Sequence, residues 1–175
     1  DLAKEINAAR ENKQYLSGIK LPRTVTATHS EKEAIEKSGL VIFAVPSAFL
    51  RSIAKAFSEL MPKDALVMHV TKGMEENTGK TMSHVLKEEL GKNTKIAVMS
   101  GPNHSEEVAL KLPTATVIAS ESEDVRMQIC KIFVTPYFKP YPHDDVIGVE
   151  VCGTLKNITA IAIGVCDGLK LGDNA

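Results

Sequence analysis

The sequence contains no tryptophan and only three cysteines, Cys130, Cys152 and Cys166, among its 175 residues. The cysteines lack the CxxC spacing of a zinc site, and their odd number argues against a disulfide framework. The five histidines also lack the spacing of metal ligands. We therefore expect no metal site, and we expect reduced, mostly buried thiols in a cytoplasmic protein.

Charge of one sign is not concentrated anywhere in the chain. The 21 basic and 22 acidic residues give a net charge of −1, without a block of like charges. Nucleic-acid-binding proteins usually carry a basic patch, and a membrane-spanning helix needs an apolar run of about 20 residues. The sequence shows neither pattern, so we expect no nucleic-acid partner and no membrane partner. The phosphate-binding patterns GxGxxG and GxxxxGK[ST] are also missing.

What the chain contains instead is a regular alternation of helix and strand patterns. Helices are predicted at 2–12, 31–38, 48–60, 78–90, 104–111 and 122–133, and strands at 24–28, 40–45, 65–70, 95–99, 114–119 and 138–141. Continuous apolar strands are typical of a parallel sheet buried on both faces, and nearby prolines favour an edge position for the last strand. The alternation predicts an α/β fold, with helices on both faces of a mostly parallel sheet.

A long apolar helix is predicted after residue 143, opened by the negative charges of Asp144 and Asp145. Its apolar residues recur at intervals of three and four, on nearly all sides, which is typical of a buried helix. Lys156 lies within it, either as a rim lysine that extends to solvent or as a functional group. We assign 1–143 to an α/β domain and 144–175 to the beginning of a helical domain.

The same helix carries a stripe of small or amide residues. The stripe consists of Gly153, Asn157, Ala160 and Gly164, at spacings of four, three and four. Glycine in a helix interior costs roughly 1 kcal/mol relative to alanine, so another benefit should justify it. We expect the stripe to let another backbone or a ligand come close.

Unusual residues follow three of the predicted strands, at 45–47, 70–73 and 99–103. In open parallel sheets, ligands bind at the carboxyl ends of the strands. Lys72 offers a positive charge suited to phosphate, Gly101 allows a backbone to approach a ligand, and Asn103 offers a polar contact at a helix start. Each signal alone more often marks a turn or a solvated side chain, but three at one edge predict a cleft.

Five segments of the chain share their order and spacing with a known enzyme family. They are Ala44-Val45-Pro46-Ser47, Thr71-Lys72-Gly73, Ser100-Gly101-Pro102-Asn103, Gly153-Thr154-Leu155-Lys156-Asn157, and Asp167-Gly168-Leu169 with Gly172-Asp173-Asn174-Ala175. Through them the chain resembles the bacterial-type NAD(P)-dependent sn-glycerol-3-phosphate dehydrogenases, over essentially its whole length. The resemblance implies a Rossmann-type nucleotide-binding domain followed by an all-helical domain, with the active site between them.

The resemblance also implies the roles of five residues. Lys156 matches the family's catalytic lysine, which also contacts the substrate, and Lys72 matches a lysine that contacts both substrate and cofactor. Gly101 and Asn103 match substrate-binding positions, although the family usually has serine or threonine where Asn103 stands. Ser105 matches a cofactor-binding position that is commonly alanine, where a backbone contact is expected.

The reaction implied by the resemblance interconverts sn-glycerol 3-phosphate and dihydroxyacetone phosphate by hydride transfer with NAD or NADP. It would feed phospholipid precursor synthesis in the cytoplasm; whether the enzyme is a homodimer is left open. The family's GxGxxG unit would precede Asp1, and an acidic residue and a Gly-Arg-Asn segment would follow Ala175, so we expect this piece alone to be inactive. Two alternatives stay open: a related two-domain dehydrogenase of hydroxy acids or sugar acids, and a non-catalytic nucleotide-binding protein of the same fold.

Overall fold

A five-stranded sheet forms the centre of the computed structural model, which describes residues 1–172. The strands are β1 (Leu40–Phe43), β2 (Leu66–His69), β3 (Ile96–Ser100), β4 (Thr114–Ala119) and β5 (Phe138–His143). They lie side by side in chain order, and only the β3–β4 pair is antiparallel. The predicted mostly parallel sheet is confirmed, while residues 173–175 of the last resembling segment lie outside the described residues.

Helices cover both faces of this sheet, as predicted. They are α1 (Leu2–Ala9), α2 (Glu31–Ile35), α3 (Ser47–Phe57), α4 (Met82–Leu90), α5 (Ser105–Ala109), α6 (Glu123–Phe133) and α7 (Val146–Gly168). Side chains alternate between the two faces along a strand. Val67 accordingly packs beneath α3 and α4, in a core with Leu50 and Leu86, whereas its neighbour Met68 packs beneath α6 with Ile129. Each such buried side chain contributes about 1.5–3 kcal/mol to folding.

The predicted strand at 24–28 is not a strand. Its backbone groups bond to side chains of the first helical segment instead of to a neighbouring strand. Asn7 exchanges two hydrogen bonds with the backbone of Ala27, at 2.7 and 2.8 Å, and Arg10 donates to the carbonyl of Val25 at 2.8 Å. β-Branched residues favoured the strand prediction, but strand propensity depends on a partner strand.

The bounds of α3 and α4 differ in part from the predicted ones, whereas the position of β5 in the sheet agrees with its prediction. The helix predicted at 48–60 is α3, which begins one residue earlier, after Pro46 as its N-cap residue, and ends at Phe57. The helix predicted from residue 78 begins at Met82, because Met74 and Thr81 pair across a tight loop first. That helix ends at Leu90, as predicted, and Gly91 follows it at φ 102°. β5 occupies a sheet edge, as its prolines indicated.

Helix α7 starts as predicted but is not buried in the described part of the chain. Asp145 is its N-cap and accepts a hydrogen bond from the Gly148 amide at 2.7 Å. Only Val146 and Glu150 of its 23 residues are buried, and Lys156 is exposed. The expectation of a lysine in a buried helix is therefore wrong for these residues. The apolar periodicity identified the helix, but apolar pattern alone does not show what covers it.

Two further sequence expectations are corrected at α7. By length and hydropathy alone this helix could cross a membrane, contrary to the expectation that no apolar run approaches that length, although core helices of globular proteins pass the same test. Glu150 and Lys156 interrupt the apolar run, but the helix remains apolar on average. The thiols were expected to be mostly buried, but only Cys130 is, whereas Cys152 is exposed and Cys166 partly so.

Candidate functional site

The carboxyl ends of β1, β2 and β3 meet at one edge of the sheet because these strands are parallel. Lys72 follows β2 there, and the Ser100-Gly101-Pro102-Asn103 turn ends β3. Helix α7 packs across β3 and β4 and brings Lys156 to the same edge. The order of elements therefore places residues distant in sequence around one cleft. Two of the three predicted segments, 70–73 and 99–103, line it, whereas 45–47 does not.

Helix α7 approaches this edge closely at Gly153. A Cβ atom at this position would come within 2.7 Å of Ser100 Oγ, closer than such atoms pack. The expected close approach is thus present at this end of the small-residue stripe. At Gly164 the space is open to 4 Å among the described residues, so the structure gives no close approach there.

Gly101 is required for a reason different from the expected one. The sequence suggested that it lets a backbone approach a ligand, but a Cβ atom there would lie 2.9 Å from Oγ1 of Thr116 and 3.1 Å from the carbonyl oxygen of Ala115. The turn therefore packs directly on β4. This contact fixes where the turn presents Asn103.

A cleft of about 650 Å³ lies between this turn and α7. It is lined by all four residues that were expected to bind substrate, Lys72, Gly101, Asn103 and Lys156. Val149, Cys152 and Gly153 form its α7 wall. This volume suits a small organic ligand.

A second cavity, of about 680 Å³, adjoins the cleft on the α6 side of the sheet. Ser105, Lys72 and Asn103 line it, so both residues expected to bind the cofactor occur here. The rest of its wall is mainly apolar and aromatic: Val70, Met99, Val108, Ile132, Phe133, Tyr137 and Phe138. Lys72 and Asn103 thus belong to both cavities and separate them.

The two lysines give the cleft its electrostatic character. Partial burial lowers the pKa of Lys72 although much of its side chain is exposed, and the positive charge of Lys156 lowers that pKa further. Lys72 Nζ makes a long 3.4 Å hydrogen bond to the carbonyl of Gly101, and Lys156 Nζ donates to Asn157 Oδ1 at 2.6 Å. In the described part of the chain neither ammonium has an ion-pair partner, so the cleft attracts an anion.

Sequence reasoning missed a buried carboxylate that anchors α7. Glu150 accepts hydrogen bonds from the amide and the hydroxyl of Ser83, at 2.7 and 2.6 Å, and Nε2 of fully buried His69 lies 3.2 Å from it. Burial raises the pKa of Glu150, but His69 and the Ser83 bonds outweigh burial and the net pKa is lowered. A glutamate on an apolar helix was the available signal, because buried charges need partners.

A second unpredicted group holds the segment that follows Lys72. Arg51 donates to Glu75 at 2.6 Å and to Glu88 at 2.8 Å, and it also bonds to Glu89. These bonds join α3 and α4 to the loop that begins beside Lys72. Arg51 lies on α3 and contacts neither cavity, so it acts on the architecture of the site and not on a ligand.

The fold and the site at its carboxyl edge define a Rossmann-like α/β protein with a small-ligand cleft. The family model for the NAD-dependent glycerol-3-phosphate dehydrogenase N-terminus matches residues 1–126, and the one for its C-terminus matches residues 145–175. The chain therefore belongs to the NAD-dependent glycerol-3-phosphate dehydrogenase family, which confirms the resemblance.

Individual relatives agree with this assignment. The chain is 40% identical over 173 residues to a glycerol-3-phosphate dehydrogenase [NAD(P)+] of Fusobacterium nucleatum, covering 98% of this chain and 52% of that one. A relative from Moorella thermoacetica is 42% identical over 174 residues, covering 99% and 51%. The chain thus spans about half the length of the curated relatives it matches.

Solved structures show the same likeness. Glycerol-3-phosphate dehydrogenase from Coxiella burnetii has a TM-score of 0.89 at 34% identity, covering 99% of this chain and 53% of that one. The Plasmodium falciparum enzyme has a TM-score of 0.91 at 32% identity, covering 99% and 49%. A UDP-D-ManNAc dehydrogenase from Pyrococcus horikoshii, at 16% identity and a TM-score of 0.64, shares the fold alone, covering 89% and 42%.

Proposed function

We propose that the whole protein interconverts sn-glycerol 3-phosphate and dihydroxyacetone phosphate, with NAD or NADP, in the cytoplasm. The observation that carries this proposal is the cleft in which Lys72 and Lys156 meet without an ion-pair partner among the described residues. Two ammonium groups in one small cleft suit a doubly charged phosphate ester better than a neutral polyol. The product would feed phospholipid precursor synthesis.

Lys156 is assigned the proton transfer. When the carbonyl of dihydroxyacetone phosphate is reduced, its oxygen becomes negative, and an ammonium beside it stabilises that charge and donates a proton. Lys156 lines the cleft, and its Nζ donates to Asn157 Oδ1 at 2.6 Å. Asn157 is thereby assigned an orienting role and Lys156 the catalytic one.

Lys72 is assigned to the substrate phosphate and to the cofactor. It lines both the cleft and the second cavity, which supports contacts with two ligands at once. The apolar and aromatic wall of the second cavity fits the flat ring of a nicotinamide, with Ser105 at its border. The bound cofactor would supply the hydride chemistry, while this chain's residues position the substrate and handle the proton. Gly101 and Asn103 complete the substrate wall.

The alternatives differ in what the two lysines would meet. A dehydrogenase of hydroxy acids or sugar acids would place a carboxylate there, and a non-catalytic protein would bind nucleotide without turnover.

The exposed apolar side of α7 suits either further parts of a helical domain or a second subunit, so a homodimer is one of two arrangements.

A substrate panel tests the proposal. Purified whole protein is assayed with NADH and with NADPH against dihydroxyacetone phosphate, unphosphorylated dihydroxyacetone and a set of oxo acids. The proposal predicts turnover of the phosphate ester far above that of the matched compound without phosphate. Equal or preferred turnover of oxo acids would contradict it, and cofactor binding without any turnover would favour the non-catalytic alternative.

A further inference from the structure

The segment that carries Lys72 is attached to the end of β1 and to the start of α3. The hydroxyl of Thr71 donates to the carbonyl oxygen of Val45 at 2.8 Å. A Cβ atom at Gly73 would lie 3.0 Å from Ser47 Oγ, so the segment passes close to α3 at this point. Val45 and Ser47 therefore support the segment on both sides of Lys72, although neither of them lines the cleft.

A third contact fixes the same segment further along the chain. Arg51, one turn after Ser47 in α3, donates to the Glu75 carboxylate from Nε at 2.6 Å and from Nη2 at 2.9 Å. Such a bidentate pair restricts orientation as well as distance. The guanidinium is in turn held on α4, by Glu88 at 2.8 Å and by Glu89. It therefore offers Glu75 a fixed partner.

The pair of Arg51 and Glu75 differs from an ordinary surface ion pair. Isolated, fully exposed pairs contribute little, whereas bidentate geometry and a shared network are the features that make an ion pair effective. The side chain of Glu75 is 18% exposed. The bonds from Arg51 first and from Thr78 second lower the pKa of its carboxyl to about 2. The carboxylate therefore stays ionised at any pH near neutrality.

Lys72 depends on this segment for its position. Its Nζ makes a single hydrogen bond within the part of the chain that the structure describes, a long one of 3.4 Å to the carbonyl of Gly101. The side chain is therefore directed mainly by the backbone from which it extends. That backbone lies between the attached residues Thr71 and Gly73, and Glu75 fixes its continuation.

We propose that Arg51 is a positioning residue for Lys72: by holding Glu75, it fixes the backbone from which Lys72 reaches the cleft. The proposal rests on the proposed function above, in which Lys72 binds the substrate phosphate. Arg51 lines neither cavity, so its effect on a ligand passes through residues 71–75. A small displacement of a positioned group costs much of its effect, so loss of the pair should weaken substrate binding without removing a ligand contact.

A double-mutant cycle on substrate affinity tests this inference. Glycerol 3-phosphate is titrated into the whole protein saturated with NADH, a non-reacting pair, for wild type, Arg51→Met, Lys72→Met and the double variant. Arg51→Met should weaken binding about 10-fold when Lys72 is present, and by less than about 2-fold in the Lys72→Met background. Equal weakening in both backgrounds, or weakening in neither, overturns the proposal.

Two matched glutamate variants test the same role while keeping Arg51. Glu75→Gln and Glu89→Gln remove the same charge, and both residues bond to Arg51, but only Glu75 belongs to the segment that carries Lys72. Glu75→Gln should weaken binding of glycerol 3-phosphate about 5-fold, because an amide supports only one of the two bonds. Glu89→Gln should stay within about 2-fold of wild type. Equal effects of the two variants overturn the proposal, and this comparison decides if Arg51→Met fails to fold or Lys72→Met fails to bind.

A stability measurement separates positioning from folding. In denaturant titrations, the loss of stability caused by Arg51→Met should be the same with and without Lys72, whereas the loss of affinity should require Lys72. An affinity loss that follows stability in both backgrounds contradicts the positioning role. Failure of the wild-type protein to bind glycerol 3-phosphate at all contradicts the proposed function itself, whereas wild-type binding that Arg51→Met leaves unchanged contradicts this inference alone.

Discussion

Lys72 and Lys156 are 84 positions apart in the chain and share one cleft. Partial burial lowers the pKa of Lys72, and the positive charge of Lys156 lowers it further. The repulsion between the two ammonium groups favours substrate binding, because a doubly charged phosphate that enters the cleft relieves it.

The lowered pKa of Lys72 predicts a pH dependence of substrate binding. The ammonium form binds phosphate, and it is lost as pH rises through a folded-state pKa that lies below the ordinary value of 10.5. The affinity of the whole protein for glycerol 3-phosphate should therefore weaken with rising pH, beginning below that value. The Lys72→Arg variant keeps its positive charge at high pH, so its affinity should not weaken over the same pH range. Titration calorimetry at several pH values measures both affinities. The same pH dependence in both proteins would contradict the prediction.

The contact of Gly153 with Ser100 predicts a coupled effect on stability. Glycine to alanine in a helix normally stabilises by about 0.5–1 kcal/mol, but here the new Cβ would meet Ser100 Oγ at 2.7 Å. Gly153→Ala should therefore bring no gain, and the gain of about 0.5–1 kcal/mol should reappear in a Ser100→Ala background. Denaturant unfolding of the four proteins measures this. An equal gain in both backgrounds would show that the contact is not tight.

Helices and strands could be predicted where the residue pattern within a single segment determines them. The strands that became β1, β2 and β3 were recognised from their continuous apolar runs. Both faces are buried in β2 and β3, whereas Ile42 on one face of β1 is 44% exposed. Residues 24–28 were misassigned because their hydrogen-bond partners are the side chains of Asn7 and Arg10. Glu150 was missed for a related reason, since its partner Ser83 lies 67 positions away. Patterns within a segment report on periodicity, not on tertiary partners.

The anchoring of α7 by Glu150 predicts a selective loss of stability. Glu150→Leu leaves the amide and hydroxyl of Ser83 without their buried acceptor, so the free energy of unfolding should fall by about 1–3 kcal/mol. Glu76→Gln, at an exposed position, is the control and should change it by less than about 0.5 kcal/mol. Denaturant titration compares the two. A Glu150→Leu protein as stable as the control would show that this carboxylate does not hold the helix.

On the scale of the whole molecule, the cleft is assembled by the ends of the parallel strands β2 and β3, by the antiparallel strand β4 and by the crossing helix α7. The cleft was predictable because parallel strands place their carboxyl ends together, and four predicted substrate residues do line it. The exposure of Lys156 was not predictable, because the apolar pattern of α7 does not reveal which surfaces cover it. The pairing of Thr116 with Asn103 was equally hidden, since β4 had to be placed antiparallel beside β3 first.

The central claim is that Lys156 transfers the proton at this cleft, while Lys72 and the turn bind the substrate. The most direct measurement is kcat of the whole protein with dihydroxyacetone phosphate before and after Lys156→Met, together with the affinity for NADH. The account predicts a loss of at least about 100-fold in kcat with nearly unchanged cofactor affinity. A kcat near that of the wild type would contradict it.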